Sequence, residues 1–304
     1  MRQDPTRVVF SFRPVLAPLL GLMLAFAVLP AKANDSTVVF SDTSRIASIG
    51  GSITEIVYAL GEEGHLVARD STSYFPQAAL KLPDVGYMRA LSPEGVLSVN
   101  PTGILALHGS GPKDAVDVLK KSSVAFIEVP EHYSHEGILE KIRVVGKALG
   151  VDAKAEKLAV EMDAKLKSAE KQAASIKQRK RILFVLSTQG GKVLAAGSDT
   201  AGDGIIKLAG AVNAVEGFSG YKQMSDEAIV TARPDVILTM KNAGPPVSED
   251  ELLANPSIAS TPAGAARKVI SMDGGYLLGF GPRTAEAIHD LAVSLYGSQV
   301  TDQW

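Results

Sequence analysis

Between Val151 and Gln189 the chain contains neither glycine nor proline, the two residues that most readily interrupt regular backbone. Within this stretch Leu158, Met162, Leu166, Ala169, Ala173 and Ile176 recur at spacings of three and four, with Lys and Glu on the other faces. That is the pattern of one long amphipathic helix. About 27 residues at the standard helical rise span roughly 40 Å. A helix of that length acts as a strut between two lobes rather than as a flexible linker. The pattern also allows an ordinary crossover helix within a single sheet.

Short apolar runs rich in β-branched residues lie on both sides of it. "RIASIG" (45–50), "HLVARD" (65–70), "GILAL" (103–107) and "VAFIEV" (124–129) read as strands, and so do "RILFVL" (181–186), "VLAAG" (193–197), "DVILTM" (235–240) and "KVISM" (268–272). In "SITEIVYALG" the Ser52–Glu55 spacing fits a capping box, Ile53, Ile56, Val57 and Leu60 share one helical face, and Gly61 stops the helix. Strands alternating with helices predict parallel sheets covered by helices.

The chain also repeats itself. "LSPEGVLSVNPTGILAL" (91–107) aligns without a gap on "MSDEAIVTARPDVILTM" (224–240), an offset of 224 − 91 = 133 residues. Ser92 pairs with Ser225, Glu94 with Glu227 and Pro101 with Pro234. Each copy reads as a capping serine, an acidic first turn, a short helix, an X-Pro break and a strand. The predicted fold is therefore α/β with two lobes, each a mostly parallel sheet flanked by helices, joined by one long rigid helix. A ligand cleft is expected between the lobes. The boundaries are 34–150 for the N-terminal lobe, 151–180 for the linking helix and 181–304 for the C-terminal lobe.

Residues 1–33 read as a secretory signal peptide. Arg2, Arg7 and Arg13 precede the apolar run "PVLAPLLGLMLAFAVLP", and "AKA" (31–33) fits a small-x-small cleavage site. The chain has no cysteine, which removes disulfides, thiolate metal sites and a lipid-modified cleavage point. The expectation is a protein free in a bacterial periplasm. Taking Arg2, Arg7, Arg13 and Lys32 from 31 basic residues and Asp4 from 33 acids leaves 27 against 32, a charge of −5. Nothing in that balance attracts nucleic acid or anionic lipid.

Glu94 and Glu227 have two readings. A carboxylate in a first helical turn interacts favourably with exposed N–H groups and the macrodipole. Alternatively, one acid per lobe marks equivalent surfaces on which a partner with paired arginines docks, each fork meeting a carboxylate in two hydrogen bonds.

"VGYMR" (85–89) sets Tyr87 after Gly86, with Arg89 two residues on. The ring could pack on the lobe edge beside a surface arginine. The chemical alternative is a phenolate, a hard oxygen donor for ferric iron and one of the axial ligands of haem. A neighbouring guanidinium favours that phenolate. The histidines add little: His132 and His135 are three apart in "EHYSHEG" but lack a third ligand nearby, so a solvated loop is expected. "LHGSGP", "EGFSGY" and "GDGII" lack the spacings of a nucleophile elbow, a P-loop or a dinucleotide fingerprint, which argues against an enzyme.

"SIGGSITEIVYALG", "LVARDSTS", "LPDVGYMRALSPEGVLS", "ILFVLS", "AAGSDTAGDGII", "GFSGYKQMSDEAIV" and "LLGFGPRT" together resemble the periplasmic haem-binding proteins of bacterial haem-uptake ABC transporters. These sit within the wider vitamin B12- and siderophore-binding family. The resemblance implies capture of ferric haem, with Tyr87 as iron ligand and Arg89 supporting the phenolate. It implies Glu94 and Glu227 as docking acids for an inner-membrane permease with its cytoplasmic ATPase. Lys222 is a candidate for the haem propionates or rim, Tyr221 for stacking there, and Tyr74 is an alternative iron ligand. Some relatives bring a second axial histidine from the loop after the first C-terminal strand; here "VLSTQGGKVLAAG" has Thr188, Gln189 and Gly190 instead. Five-coordinate iron or a weak sixth ligand such as water is expected. A monomer is expected, and a siderophore- or cobalamin-binding protein of the same fold is the alternative.

Overall fold

The computed structural model describes residues 39–242 and 247–300; the expected leader at 1–33 lies outside them. The first sheet holds β1 (Ile46–Ile49), β2 (Leu66–Arg69), β3 (Gly103–Leu107) and β4 (Ala125–Val129), all parallel, in the order β2-β1-β3-β4. Every residue of β1 and β3 is buried, because crossover helices cover both faces of a parallel sheet. Those helices are α1 (Gly51–Ala59), α2 (Pro93–Leu97), α3 (Lys113–Lys121) and α4 (His135–Ala148).

α5 (Asp152–Ser175) follows, 24 residues or about 36 Å of helix. Its buried stripe is Ala155, Ala159, Met162, Leu166 and Ala169. It lies along α4 and also packs on α12 (Thr284–Tyr296) of the other lobe.

The second sheet comprises β5 (Arg181–Gln189), β6 (Lys192–Ala196), β7 (Val212–Asn213), β8 (Tyr221–Gln223), β9 (Val236–Lys241) and β10 (Val269–Asp273). Its order is β10-β9-β5-β6-β8, with β7 beside β5. It departs from the expected parallel arrangement at one edge, where β6 is antiparallel to both β5 and β8. The segment read as a loop after the first strand is a β-hairpin, closed by Gly190 and Gly191 with φ of 60° and 75°, the left-handed backbone that tight hairpin turns require. α6 (Ala201–Leu208) and α7 (Asp226–Ala232) flank this sheet, with α8 (Glu249–Ala254), α9 (Pro256–Ala259), α10 (Pro262–Ala265) and α11 (Gly274–Leu278) before α12.

The internal repeat is visible in the backbone. Ser92 accepts the Gly95 amide and Ser225 the Ala228 amide, both at 3.2 Å. Val96 and Ile229 are the matching buried anchors of α2 and α7. Asn100 and Arg233 both turn left-handed, with φ of 48° and 45°, directly before the prolines that disfavour a continuing helix. β3 and β9 then begin at Gly103 and Val236, still 236 − 103 = 133 apart.

Two local expectations are corrected. Ser52 and Glu55 do not form a capping box; α1 begins at Gly51 without a side-chain cap of its own. Its first amides are met from the next strand instead, Gly50 by Asp70 Oδ1 and Gly51 by Thr72 Oγ1, both at 3.0 Å. Nor does His135 sit in a solvated loop. It opens α4 and is buried, with Asp163 and Glu170 of α5 each 3.0 Å from a ring nitrogen. Packing of α4 on α5 carries that histidine inside.

Freed from capping, Ser52 and Glu55 face the other lobe. Arg283 binds Glu55 through Nε at 2.9 Å and Nη2 at 2.5 Å, with its guanidinium 3.6 Å above the Phe75 ring. Lys141, wholly buried, donates to Glu131 Oε1 at 2.6 Å, the Phe280 carbonyl at 3.0 Å and Ser52 Oγ at 3.3 Å. Burial pushes the Glu55 and Glu131 carboxyls up and the Lys141 ammonium down, against the attraction of their partners. Removing one member of such a pair strands the other. Arg283→Met is expected to lose about 3 kcal/mol in urea unfolding, the low end for a buried pair because the arginine keeps 26% of its side chain exposed. Adding Glu55→Leu should restore most of it; an unchanged midpoint in the single variant would remove the pair from the account of how the lobes join.

Candidate functional site

The loop after β2 is built to hold a tyrosine outward. Arg69 reaches Asp84 Oδ2 at 3.0 Å, and Asp84 Oδ1 accepts the Gly86 amide at 2.9 Å. Gly86, at φ 100°, turns the chain where a side chain would be strained. The Ala90 amide donates to the Tyr87 carbonyl at 2.8 Å, closing a β-turn. Met88 and Leu91 then exchange backbone hydrogen bonds with Gly111, each at 2.8 Å. Val85, Met88 and Leu91 are buried, so the loop is anchored at every third residue. Tyr87, 48% exposed, and Arg89, also exposed, stand outward between those anchors.

Asp70 braces the same end of the lobe. Besides the Gly50 amide, its carboxylate accepts the Thr72 amide at 3.1 Å and the Ser73 hydroxyl at 2.7 Å. The loops after β1 and β2 are thereby one unit, at the carboxyl ends of the strands where ligands of parallel sheets bind.

Across the cleft stands Tyr221 on β8. Burial pushes its phenol up, while the Gly202 amide, the Arg89 charge and the Thr200 hydroxyl oppose the shift. Its ring meets Phe184 edge-on, centroids 6.5 Å apart. Tyr133, after β4, is raised by burial and then by Glu131 and Tyr221, with Arg89 opposing. The Arg89 charge also acts on Glu131. Arg89 of the N-terminal lobe thus favours the charged forms of Glu131, Tyr133 and Tyr221. Tyr133 also packs on Phe280, rings 5.2 Å apart at 64°.

Residues 46–276 match the profile of the periplasmic binding protein family. The chain belongs to that family. Its structure is similar to that of the periplasmic haem-binding protein BhuT in complex with two haems, at 38% identity and a TM-score of 0.78, covering 84% of this chain and 99% of that one. It is 28% identical to the ABC transporter substrate-binding lipoprotein YvrC of Bacillus subtilis, over 87% of this chain and 83% of that protein. It is 23% identical to a cobalamin-binding protein of Halobacterium salinarum, over 89% of this chain and 74% of that protein. Periplasmic binding proteins carry solutes rather than transform them, so the chain belongs with binding proteins and not with enzymes.

Within this family member the other site candidates fall as follows. Lys222 lies on strand β8 rather than in a loop, exposed, with Nζ 5.6 Å from the Phe218 ring centroid. It follows Arg89 by 222 − 89 = 133 residues, and Tyr221 stands likewise to Met88; Met88 is buried and Tyr221 half-buried, while Arg89 and Lys222 are exposed. Glu94 and Glu227 are exposed in the first turns of α2 and α7. The amide of Glu94 itself and the Ser92 hydroxyl hold the Glu94 carboxyl below its ordinary pKa. Glu131 and Tyr133 escaped sequence reading, although "VPEHYS" directly after a parallel strand places them at the binding end of the sheet. Among the described residues no three His, Asp or Glu side chains are grouped to hold a bare metal ion, and no helix is long and apolar enough to cross a membrane.

Tyr74 is engaged elsewhere. Its hydroxyl donates to Asp273 Oδ1 at 2.9 Å and accepts the Gly275 amide at 2.6 Å, which ties the two lobes. Burial and the Asp273 hydrogen bond push its pKa to about 12. A folded value raised above the ordinary 10 means that its contribution to stability is complete below about 10 and is lost as pH rises through about 12. Tyr74→Phe should cost about 1 kcal/mol at neutral pH and flatten the alkaline decline over that interval, measured by urea denaturation. Identical pH slopes for variant and parent would contradict the assigned bond.

Proposed function

We propose that this protein captures haem in the interlobe cleft through a bond between the Tyr87 phenolate and ferric iron, and delivers it to an inner-membrane ABC permease with its cytoplasmic ATPase. The carrying observation is the Tyr87 loop: a phenol 48% exposed on a backbone pinned from both sides, with Arg89 beside it. The alternative phenol, Tyr74, keeps its proton and spends its oxygen on Asp273 and Gly275. Arg89 and Lys222, matched in the repeat, offer one cation from each lobe to the two propionates, and Tyr221 and Tyr133 give the flat porphyrin an aromatic floor. The β5–β6 hairpin carries no histidine, so iron is five-coordinate or takes water.

Haem is favoured over cobalamin because BhuT, at 38% identity over 84% of this chain, is a haem binder, whereas a cobalamin-binding relative matched over 89% of it is 23% identical. That relative makes cobalamin the second reading. Titration of the purified protein with hemin and separately with cyanocobalamin decides between them: a saturable Soret change at one equivalent is expected with hemin, and saturation by cobalamin alone would replace the proposal. Family membership supports a location outside the cytoplasm; the fuller proposal is a monomer, soluble in the periplasm after loss of residues 1–33, with no nucleic-acid partner.

Tyr87→Ala should weaken hemin binding by more than the ~10–100-fold that loss of an outer-shell partner costs, and should shift the Soret band. Arg89→Ala should fall within that ~10–100-fold range. Unchanged affinity and spectrum in the tyrosine variant would exclude it as the ligand.

Glu94 and Glu227, on equivalent helices, are the acids proposed to meet permease arginines. Glu94→Lys combined with Glu227→Lys should block haem transfer to permease in proteoliposomes while hemin affinity stays at the parent value. Equal loss of hemin affinity would assign the acids to the cleft or the fold.

A further inference from the structure

Two arginines stand in equivalent places behind those acids. Arg45 precedes β1 and Arg181 opens β5. The Arg45 amide donates to Thr102 Oγ1 at 3.2 Å and the Arg181 amide to Asp235 Oδ2 at 2.8 Å. In return the Thr102 and Asp235 amides donate to the carbonyls of Arg45 and Arg181, both at 2.8 Å. Thr102 and Asp235 are themselves partners in the repeat, 235 − 102 = 133 residues apart.

The guanidinium groups complete the match. Arg45 donates through Nη2 to the Val99 carbonyl at 2.5 Å and through Nε to the Asn100 carbonyl at 2.8 Å. Arg181 donates through Nε to the Ala232 carbonyl at 3.1 Å, and its Nη2 reaches the Ala214 carbonyl at 3.3 Å. Val99 and Ala232 are again 232 − 99 = 133 residues apart. The Val99, Asn100 and Ala232 carbonyls end the segments whose first turns carry Glu94 and Glu227, while Ala214 follows β7 and Arg181 also pairs with Glu216 at 3.4 Å. α2 has 5 residues and α7 has 7, with Val96 the one buried residue of the first and Ile229 and Ala232 those of the second. Helices of that length do not hold themselves in water. A serine cap at one end and a charge-assisted tether at the other fix the helix, and the dipole favours a cation at the tethered end.

We propose that Arg45 and Arg181 are positioning residues for docking: each holds the helix that presents an acid, and together they set the spacing at which Glu94 and Glu227 meet the permease. This rests on the docking reading above. Arg45 is exposed and Arg181 partly exposed, and melting measured beside docking separates an effect on docking from one on folding.

The test is a double-mutant cycle read as the affinity of haem-loaded protein for the cognate permease–ATPase complex in nanodiscs, with hemin titration and thermal melting on every variant. Arg45→Met and Arg181→Met should each weaken association about tenfold, the order of one charge-assisted hydrogen bond, with hemin affinity unchanged. Arg45→Met should add almost nothing in the Glu94→Gln background, because it acts through that acid, and Arg181→Met likewise in the Glu227→Gln background. Arg45→Lys and Arg181→Lys, which keep the charge and lose the fork, should recover part of the affinity and serve where a methionine variant does not fold. Parent affinity in both methionine variants overturns the inference while leaving the docking reading intact. A full additional penalty in the glutamine backgrounds also overturns it, since the arginines would then act directly or through the fold. Parent affinity in the glutamine variants themselves overturns the docking reading on which it stands.

Discussion

A buried lysine holds this molecule together. Lys141 comes from the N-terminal lobe, and its ammonium is neutralised by Glu131 of the same lobe and bonded to the Phe280 carbonyl of the other. Arg283 mirrors it in the opposite direction, crossing from the C-terminal lobe to Glu55 on α1. Buried ions of this kind add little net stability over apolar packing, yet they tolerate few alternative geometries. Two of them, reaching in opposite directions across one interface, define how the lobes sit. The apolar core agrees, since one contiguous cluster runs from Ile46 and Leu105 through Met162 and Leu166 of the strut to Phe184, Leu238 and Leu291.

A scaffold joined in this way can hold its recognition groups in place in advance. Binding then depends on groups already in place before the ligand arrives, which lowers the ordering cost of association. The loop from Asp84 to Leu91 is such a group. Its outward residues, Tyr87 and Arg89, are held by backbone bonds to Ser71 and Gly111 and by three buried anchors. The same physical reason separates the two tyrosines. Tyr74 has donors and acceptors on both sides of its oxygen because it lies in the interlobe contact, whereas Tyr87 lies beyond that contact.

The sequence made the long-period features legible. An uninterrupted amphipathic stretch gave the strut, β-branched runs gave seven strands to within a residue and β5 short of its end by three, and an ungapped self-match gave the helix–strand unit that both lobes share; the short β7 and β8 carry no such run. What it hid were contacts between distant segments. A serine three residues before a glutamate looks like a local cap, but Asp70 and Thr72, from the next strand's loop, already satisfy those amides. Lys141 lies in a helix where a lysine ordinarily reads as solvent-facing, and only the packing of the other lobe buries it. His135 was misplaced for the same reason, as its partners Asp163 and Glu170 lie on α5. The hairpin at Gly190–Gly191 was within reach of the turn rules, but a loop and a pair of strands share that composition.

The repeat is most informative where it breaks. Serine caps, first-turn acids and left-handed residues before proline recur at matched positions of the helix–strand unit, and an arginine at the start of a neighbouring strand tethers the end of each copy. On the cleft side the correspondence keeps the cations, Arg89 and Lys222, but not the phenols: the residue 133 positions after Tyr87 is Gly220, and the one after Met88 is Tyr221. One lobe therefore offers an outward phenol and the other an inward one packed edge-on against Phe184. A surface that obeys the repeat suits a partner with two like halves. A cleft that violates it suits a ligand whose two faces are treated differently, with one phenol for a metal and the other for packing.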